Sequence, residues 1–446
     1  MCRSPSWALF EGCEWLFFQN ESTVKLDSSF FLPIIFFALL LKTNNDSAGM
    51  MSEGLVRTAL YEAHQRWGGN IVDFHGFELP IWYSSMMEEH LNTRENAGLF
   101  DVSHMGFFRL SGEGVREWLQ SISTQRVEHL QPGRCAYTHF LDDDGVIIDD
   151  MIFAVTDRQT IIETGCTDWQ NPSDIAILGV PNASMIPVMK DWFNSHLPED
   201  GSVTLEDLSD ETSILALQGP KSPAIIEAVL GAANAIKHFS GKAISENQFG
   251  ITGWIQGTGY TGERGFEIFV NNNQAETLWE ALLNGGEPFG ICPVGLGARD
   301  TLRMEKGFLL SGQDFHWPGL PDDGESAVES SFLARDSFET NVPFGLDLEH
   351  DFIGKFRVED SIKSRIQRWW GIKYIGRGPF PRTGSKVLDS QGNEIGIITS
   401  GGPSPSLGKV GIGLGYITGV EPGDEVLIAP NPRKQIPALV VRTPFI

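Results

Sequence analysis

The sequence predicts an α+β protein whose C-terminal part closes into a small β-barrel. Two observations predict it. From residue 51 to about 362, helical periodicity and β-rich runs alternate across short punctuated turns. From residue 363 onward only short strand-like runs remain, spaced by Gly and Pro: YIGRGP, SKVLDSQGNEIGIITSGGPSPSLGK, VGIGLGYI, DEVLIA and PALVVRTPF. Short strands at even spacing with turn residues between them are the pattern of a small barrel. A chain of 446 residues also exceeds a single core and divides into two or three domains. We set the divisions at 1–50, 51–362 and 363–446.

The first fifty residues read differently from the rest. FFLPIIFFALLL is an apolar run of twelve with Pro33 inside it, whereas a spanning helix needs roughly twenty residues. The segment before it is mildly acidic and no A-x-A cleavage site follows, so a secretory signal is not indicated. The expectation is that the natural start is Met50 or Met51, with upstream sequence translated ahead of it; a membrane anchor is the minority reading.

Beyond residue 51, Ser85 and Glu88 form an S-x-x-E capping box that opens a helix through MMEEHLNTRENA, with Gly98 placed as its C′ residue. A strand at FFRLSG and a helix near VREWLQSI follow. Asp144 and Gly145, between Leu141 and Val146, make a hairpin turn. Met185, Val188, Met189, Trp192 and Phe193 fall at i, i+3, i+4, i+7 and i+8, an apolar stripe that belongs to the core rather than to a cofactor. Pro223 opens the helix SPAIIEAVL, and strands return around GYTGERGFEIFV. Two stretches, 163–177 and 317–331, are turn-rich, lack periodicity and read as insertions.

Charge and cysteine content narrow the function. With 33 basic and 58 acidic side chains the net charge is −25, which argues against nucleic acid or an anionic membrane as the main partner. Five scattered cysteines without a CxxC indicate neither a disulfide framework nor zinc, and fit a reducing, cytoplasmic setting. No HExxH or paired histidine spacing supports a metal. GGPSPSLGKV fails as a P-loop because Val410 stands where Ser or Thr would hold magnesium, and GIGLGY has no helix after it.

Carboxylates in apolar strands carry the chemical signal. In VIIDDMIFAV both alternating faces are apolar: Val146, Ile148, Ile152 and Ala154 on one, Ile147, Met151, Phe153 and Val155 on the other. Asp149 and Asp150 therefore lie in a strand covered on both sides. An unpaired buried carboxylate costs several kcal/mol, roughly, so each must find donors or keep its proton. The alternative is an edge aspartate held by backbone amides or an Arg. Glu267 is a second such carboxylate, sharing a strand face with Phe269. In GLGARDTLRMEKG, Arg299 and Arg303 are four apart on one helical face, with a surface salt-bridge ladder as the alternative reading for Arg303. Two carboxylates and an Arg suit a pterin, whose adjacent N–H groups a carboxylate can accept in pairs.

Taken together, VDFHGFELPIWY, AGLFDVSHMG, DGVIIDDMIF, LALQGP, GYTGERGFE, GLGARDTLRMEKG, DFIGK, EIGIITSGGPSPSLGK and RTPF resemble the aminomethyltransferase (T-protein) family of the glycine cleavage system, in family order across nearly everything after residue 51. The resemblance implies a three-domain cloverleaf, two α/β layers plus the C-terminal barrel, around a central hole for folate. It implies transfer of an aminomethyl group from the lipoyl arm of H-protein to tetrahydrofolate, with release of ammonia and formation of 5,10-methylenetetrahydrofolate. By the same resemblance Asp150 is the catalytic aspartate, Glu267 binds the pterin and Arg299 contacts folate, while Tyr137 and Asn182 align with folate-lining positions. The chain departs from the family at GVPNAS and at GERG, and the 317–331 insertion falls where the lipoyl arm would enter. Because H-protein is generally acidic, docking it to this acidic chain requires a basic patch. Two other readings are a folate-dependent demethylase of O-, S- or N-methyl donors, and a non-catalytic folate module. The latter branch carries K-G-C-Y where this chain has Lys306-Gly307-Phe308-Leu309, without the cysteine.

Overall fold

The computed structural model describes residues 54–157, 175–321, 327–364 and 367–446. The first fifty residues and most of the 163–177 stretch lie outside these, as do residues 322–326 of the second stretch read as inserted. In chain order the elements begin with α1 (Tyr61–Arg66), the hairpin β1 (Asn70–Phe74) and β2 (Phe77–Trp82), α2 (Met86–Glu95), β3 (Ala97–Asp101), β4 (Phe108–Ser111) and α3 (Val115–Ile122). Next are β5 (Arg134–Leu141), β6 (Ile147–Asp157), β7 (Ile175–Val180), α4 (Ile186–His196), β8 (Thr204–Asp207), β9 (Thr212–Gln218) and α5 (Ser222–Leu230). Then come β10 (Gly241–Ala243), β11 (Trp254–Gln256), β12 (Gly265–Asn271), α6 (Asn272–Gly286), β13 (Ile291–Pro293), α7 (Leu296–Lys306) and α8 (Lys355–Ser364). The last strands are β14 (Arg368–Tyr374), β15 (Lys386–Leu388), β16 (Glu394–Ser404), β17 (Val410–Ile417), β18 (Glu425–Asn431) and β19 (Lys434–Val441).

Two sheets face each other. One is antiparallel in the order β5-β6-β7-β4-β8; the other runs β10-β11-β12-β9-β3-β13, with its β3/β13 pair parallel. Their inner faces share Phe100, Phe107, Ala154, Leu178, Ala216 and Phe269, and Phe107 stacks on Phe269 with ring centroids 4.7 Å apart. Helices α3 and α4 cover the outer face of the first sheet through Trp118, Leu119, Met189 and Phe193, so the stripe read from sequence is core. Helices α5 and α6 cover the second through Ile225, Ile226, Leu278 and Leu282. The C-terminal strands close as β14-β17-β16-β15-β18-β19, the barrel that even spacing predicted. Both glycine-rich runs set aside above belong to it, in β16, β17 and the turn between them.

Three expectations change. Ser85 does cap α2, accepting from Glu88 N at 3.2 Å, but the helix ends at Glu95 and Gly98 is inside β3 rather than at C′. Its missing side chain serves close approach, since a Cβ there would lie 2.4 Å from Thr93 Oγ1 and 2.6 Å from Val294 Cγ2. In β6 the alternation slips: β5 and β6 change register between Phe140 and Leu141, so that Ile148 joins Met151, Phe153 and Val155 in the outer cluster while Ile147 packs elsewhere with Leu141. A bulge moves one residue to the opposite face in this way. Arg303 is not on a surface ladder. It is fully buried, donating to Asp300 Oδ1 at 2.8 Å, Asp314 Oδ2 at 2.7 Å, Phe308 O at 3.1 Å and Ser400 Oγ at 2.8 Å.

Helix α7 therefore joins the sheet layers to the barrel. Ala298 and Leu302 pack between the sheets, and Met304 packs against Ile412, Leu414 and Tyr416 of β17. Glu305 accepts from Ser404 Oγ at 2.5 Å and Ser406 N at 3.0 Å in the GGPSPS run, and faces His90 and Arg94 of α2 at 3.0 and 3.1 Å. The opposing side-chain donors hold its carboxyl down at about 2 against the penalty of burial. Trp317, at the head of the second inserted stretch, donates to Asp142 Oδ2 at 2.9 Å.

Candidate active site

The hairpin turn at Asp144–Gly145 folds β6 back on β5, with Gly145 at φ 75° and Asp142 Oδ1 capping the turn by accepting from Asp144 N and Val146 N. Folding back in this register pairs Asp150 with His139, and Asp149 with Phe140. Asp149 is fully buried and Asp150 half-buried. Both find donors within the protein. Asn182, just beyond β7, donates from Nδ2 to Asp149 Oδ1 and to Asp150 Oδ1, each at 2.7 Å, and its backbone N–H donates to Asp149 Oδ2 at 3.1 Å. Tyr137 on β5 donates its hydroxyl to Asp150 Oδ2 at 2.7 Å. Ser311 adds a longer bond to Asp149 Oδ1 at 3.3 Å.

These donors do not cancel the cost of burying two acids side by side. Burial, reinforced by Asp150, pushes Asp149 up to about 8; burial also raises Asp150, against the lowering effect of Tyr137 and Asn182. Both acids thus hold a proton more readily than a free aspartate does, and the more deeply buried Asp149 is the one for which a proton is most favoured. The sequence expectation that each carboxylate must find donors or keep its proton resolves into both at once: each acid has donors, and burial still favours the proton, most strongly at Asp149.

The second sheet supplies the other carboxylate. Glu267 on β12 accepts at Oε2 from Thr258 Oγ1 at 2.5 Å and from Gln256 Nε2 at 3.3 Å, and no partner holds its Oε1 among the described residues. The preceding turn is fixed by Gln218, which donates to Thr258 O at 3.1 Å and accepts from Thr261 Oγ1 at 2.9 Å. Gly259 and Gly265 are required there, because a Cβ on either would fall within 2.3 Å of the Gln218 amide. Arg299 on α7 is half-buried and makes no ion pair among the described residues. Its guanidinium lies 4.7 Å from the Tyr260 ring centroid, and burial lowers its pKa against the opposing pull of Tyr260 and Glu267.

Tyr260 ties the two halves together. Its hydroxyl donates to Leu309 O and its ring stacks on Phe308. Arg303, Arg299, Asp150 and Asp314 all act on it electrostatically, while Tyr137 feels Asp150, Tyr260 and Asp149. Tyr260 therefore links Asp150 and Tyr137 of the first sheet, and Asn182 through Asp150, electrostatically to Arg299, which in turn feels Glu267 of the second. Each of the five keeps part of its surface exposed. Sequence reasoning quoted Tyr260 within GYTGERG without singling it out, and gave Asn182 no role toward Asp149. A tyrosine just before a glycine turn that leads into a carboxylate strand was the available signal. For Asn182 there was none, because the contact spans 32 or 33 residues. The arrangement offers two adjacent carboxyls of raised proton affinity for proton transfer, and a carboxylate and a cation free to grip a polar ligand.

Comparison with known proteins fits this geometry. Residues 60–321 match the family model for the GCVT N-terminal domain, and residues 368–446 match that for the glycine cleavage T-protein C-terminal barrel domain. Among curated proteins, the aminomethyltransferase of Chloroherpeton thalassium is 36% identical over 392 residues, covering 87% of this chain and 98% of that one. The aminomethyltransferase of Bacillus subtilis is 34% identical over 399 residues, covering 88% and 99%. Among solved structures, the glycine cleavage system aminomethyltransferase T from Bartonella henselae aligns with a TM-score of 0.72 at 27% identity, covering 88% of this chain and 98% of that one. With both family models in register over the two sheets and the barrel, this chain belongs to the aminomethyltransferase family, the T-proteins of the glycine cleavage system.

Proposed function

We propose that this chain transfers an aminomethyl group from the lipoyl arm of H-protein to tetrahydrofolate, releasing ammonia and forming 5,10-methylenetetrahydrofolate. The observation that carries the reading is the grouping of Asp150 and Tyr137 on one sheet with Glu267 on the other and Arg299 on α7, joined electrostatically through Tyr260. A reduced pterin fits the free groups: Glu267 Oε1 takes an N–H, and the unpaired Arg299 takes a carbonyl or an anionic tail. Tyr137 lines the folate path, and Asn182 contributes by holding Asp150 in place. Tetrahydrofolate supplies the nucleophilic nitrogen when bound. Asp150 accepts or relays the proton at its carboxylate oxygens, beside an Asp149 whose hold on its own proton burial strengthens.

On this reading the two sheets form intertwined domains up to residue 362, with the barrel from 363. The end of α8 at Ser364 and the start of β14 at Arg368 support that division. We assign a cytoplasmic setting from the cysteine pattern. No helix among the described residues is long and apolar enough to cross a membrane. Purified protein should be given tetrahydrofolate with either aminomethyl-loaded H-protein or methylated O-, S- and N-donors. Ammonia and methylenetetrahydrofolate from the first mixture support the proposal; methyltetrahydrofolate from the second, with nothing from the first, would replace it with a demethylase.

A further inference from the structure

His139 follows Tyr137 by two residues on β5 and so shares its face. It is 1% exposed and has not entered the chemistry so far. The Tyr137 hydroxyl has two partners, Asp150 Oδ2 at 2.7 Å and His139 Nε2 at 3.0 Å, but only one proton. In the proposed reaction Asp150 takes up a proton and so starts ionised; as such it can only accept, so Tyr137 gives it that hydrogen bond and must itself accept from the other side. His139 then carries its hydrogen on Nε2, which leaves Nδ1 bare to accept from Ser337 Oγ at 3.0 Å. The result is a chain in which every bond points the same way: Ser337 to His139, His139 to Tyr137, Tyr137 to Asp150.

We infer that His139 is a positioning residue for the proposed reaction: by donating from Nε2 to the Tyr137 oxygen it turns that hydroxyl onto Asp150 and favours the ionised carboxylate.

The surroundings hold this arrangement. Burial opposes the imidazolium form and pushes His139 down to about 3, so the ring stays neutral with a single N–H to place. Tyr137 cannot swing away, because Gly345 packs so close that a Cβ there would lie 2.5 Å from Tyr137 Cδ1, and Phe344 meets the ring edge-on at 5.4 Å. Phe315 closes over His139 with ring centroids 6.5 Å apart. The titratable groups around the chain are Asp149 and Asp150 on β6, Tyr260 from the turn before β12 and Asp314 after α7. Burial and Asp314 both oppose ionisation of Asp150, so donors aligned toward it matter more than they would beside a lone exposed acid.

The inference rests on Asp150 being the proton-handling group, and its test is kept separate from that reading. In the ligand-free protein, carbon-13 NMR of labelled aspartate follows the Asp150 titration, assigned by its loss in Asp150→Asn, and nitrogen-15 NMR reports the His139 tautomer. The expected tautomer is Nε2–H. His139→Phe should raise the Asp150 midpoint by about one pH unit, and His139→Gln, whose amide can still donate, should leave it within a few tenths. In turnover, the acid limb of the His139→Phe pH profile should move up by the same amount, with KM for tetrahydrofolate within about twofold, because His139 acts on ionisation rather than on folate contact. In a Tyr137→Phe background His139→Phe should add no further shift. If His139→Phe does not fold, Ser337→Ala, which frees the tautomer, should raise the midpoint in the same direction. An Nδ1–H tautomer, an unmoved midpoint, or additivity with Tyr137→Phe overturns the inference even where Asp150→Asn is inactive. An active Asp150→Asn instead removes the reading beneath it.

Discussion

Asp149 and Asp150 differ by one position and share the Asn182 amide, yet the rest of their surroundings differ. Asp150 has a tyrosine hydroxyl and part of its surface open; Asp149 is sealed, and burial pushes it up to about 8. Substituting Asp150→Asn keeps the shape and removes the charge, so transfer should be abolished while folate affinity stays within a few fold, as equilibrium binding would show. Glu267→Gln replaces a two-oxygen acceptor by one that also presents donors, and should weaken folate binding by roughly 1 to 3 kcal/mol through an unmatched polar contact; unchanged affinity would remove Glu267 from the pterin site. Both residues were visible in the sequence because a carboxylate in a strand with two apolar faces is costly and needs a reason. His139 was not visible. It reads as one more residue in a buried strand until the register places it behind Tyr137 and opposite Asp150.

Among the elements, α2 shows what local pattern can and cannot tell. Its start was legible, since Ser85 and Glu88 sit at cap spacing, and Ser85→Ala should cost about 1 kcal/mol in urea unfolding. Its end was misread. A glycine after a helix suggests a left-handed C′ residue, but Gly98 is already in β3 and is small because Thr93 and Val294 crowd it. Gly98→Ala should therefore destabilise by packing, on the order of 1 to 3 kcal/mol, and more than the lost cap does. Equal effects in the same titration would mean that α2 and β3 separate more freely than their spacing indicates. The bulge in β6 was equally hidden, because strict alternation fits the letters VIIDDMIFAV as well as the true register does.

At the scale of the molecule, two buried acid clusters set the response to pH. Asp101 accepts from His64 at 2.8 Å and from Thr58 at 2.7 Å, Glu305 joins α2, α7 and the barrel, and both carboxyls are held at about 2. A carboxyl whose folded value lies below its unfolded one stabilises fully above the unfolded value, near 4, and loses that contribution as pH falls through about 2. For Asp101 the difference is worth about 2 kcal/mol. Thermal unfolding followed from pH 7 to pH 2 should accordingly show Tm falling from about pH 6 downward, first because the unfolded chain protonates histidines that burial keeps neutral, such as His139, and further below about pH 4 as these carboxyls are lost; Asp101→Asn should lower Tm at neutrality while flattening the later part of the decline. The barrel itself was legible, because its strands are local and evenly spaced. Its attachment was not, since Arg303 meets Ser400 and Glu305 meets Ser404 across 97 and 99 residues. The net charge of −25 gives no hint of these joints, as they are internal and satisfied.

Helix α7 has eleven residues, a stiff rod of about 16 Å. Arg299 rides near one end and Glu305 is pinned to the Ser404 hairpin near the other, so the guanidinium has little freedom to wander independently of the barrel. A lesion at Ser404 would then surface as looser grip on a ligand it never touches, which makes the C-terminal strands a tuning peg for the opposite side of the molecule.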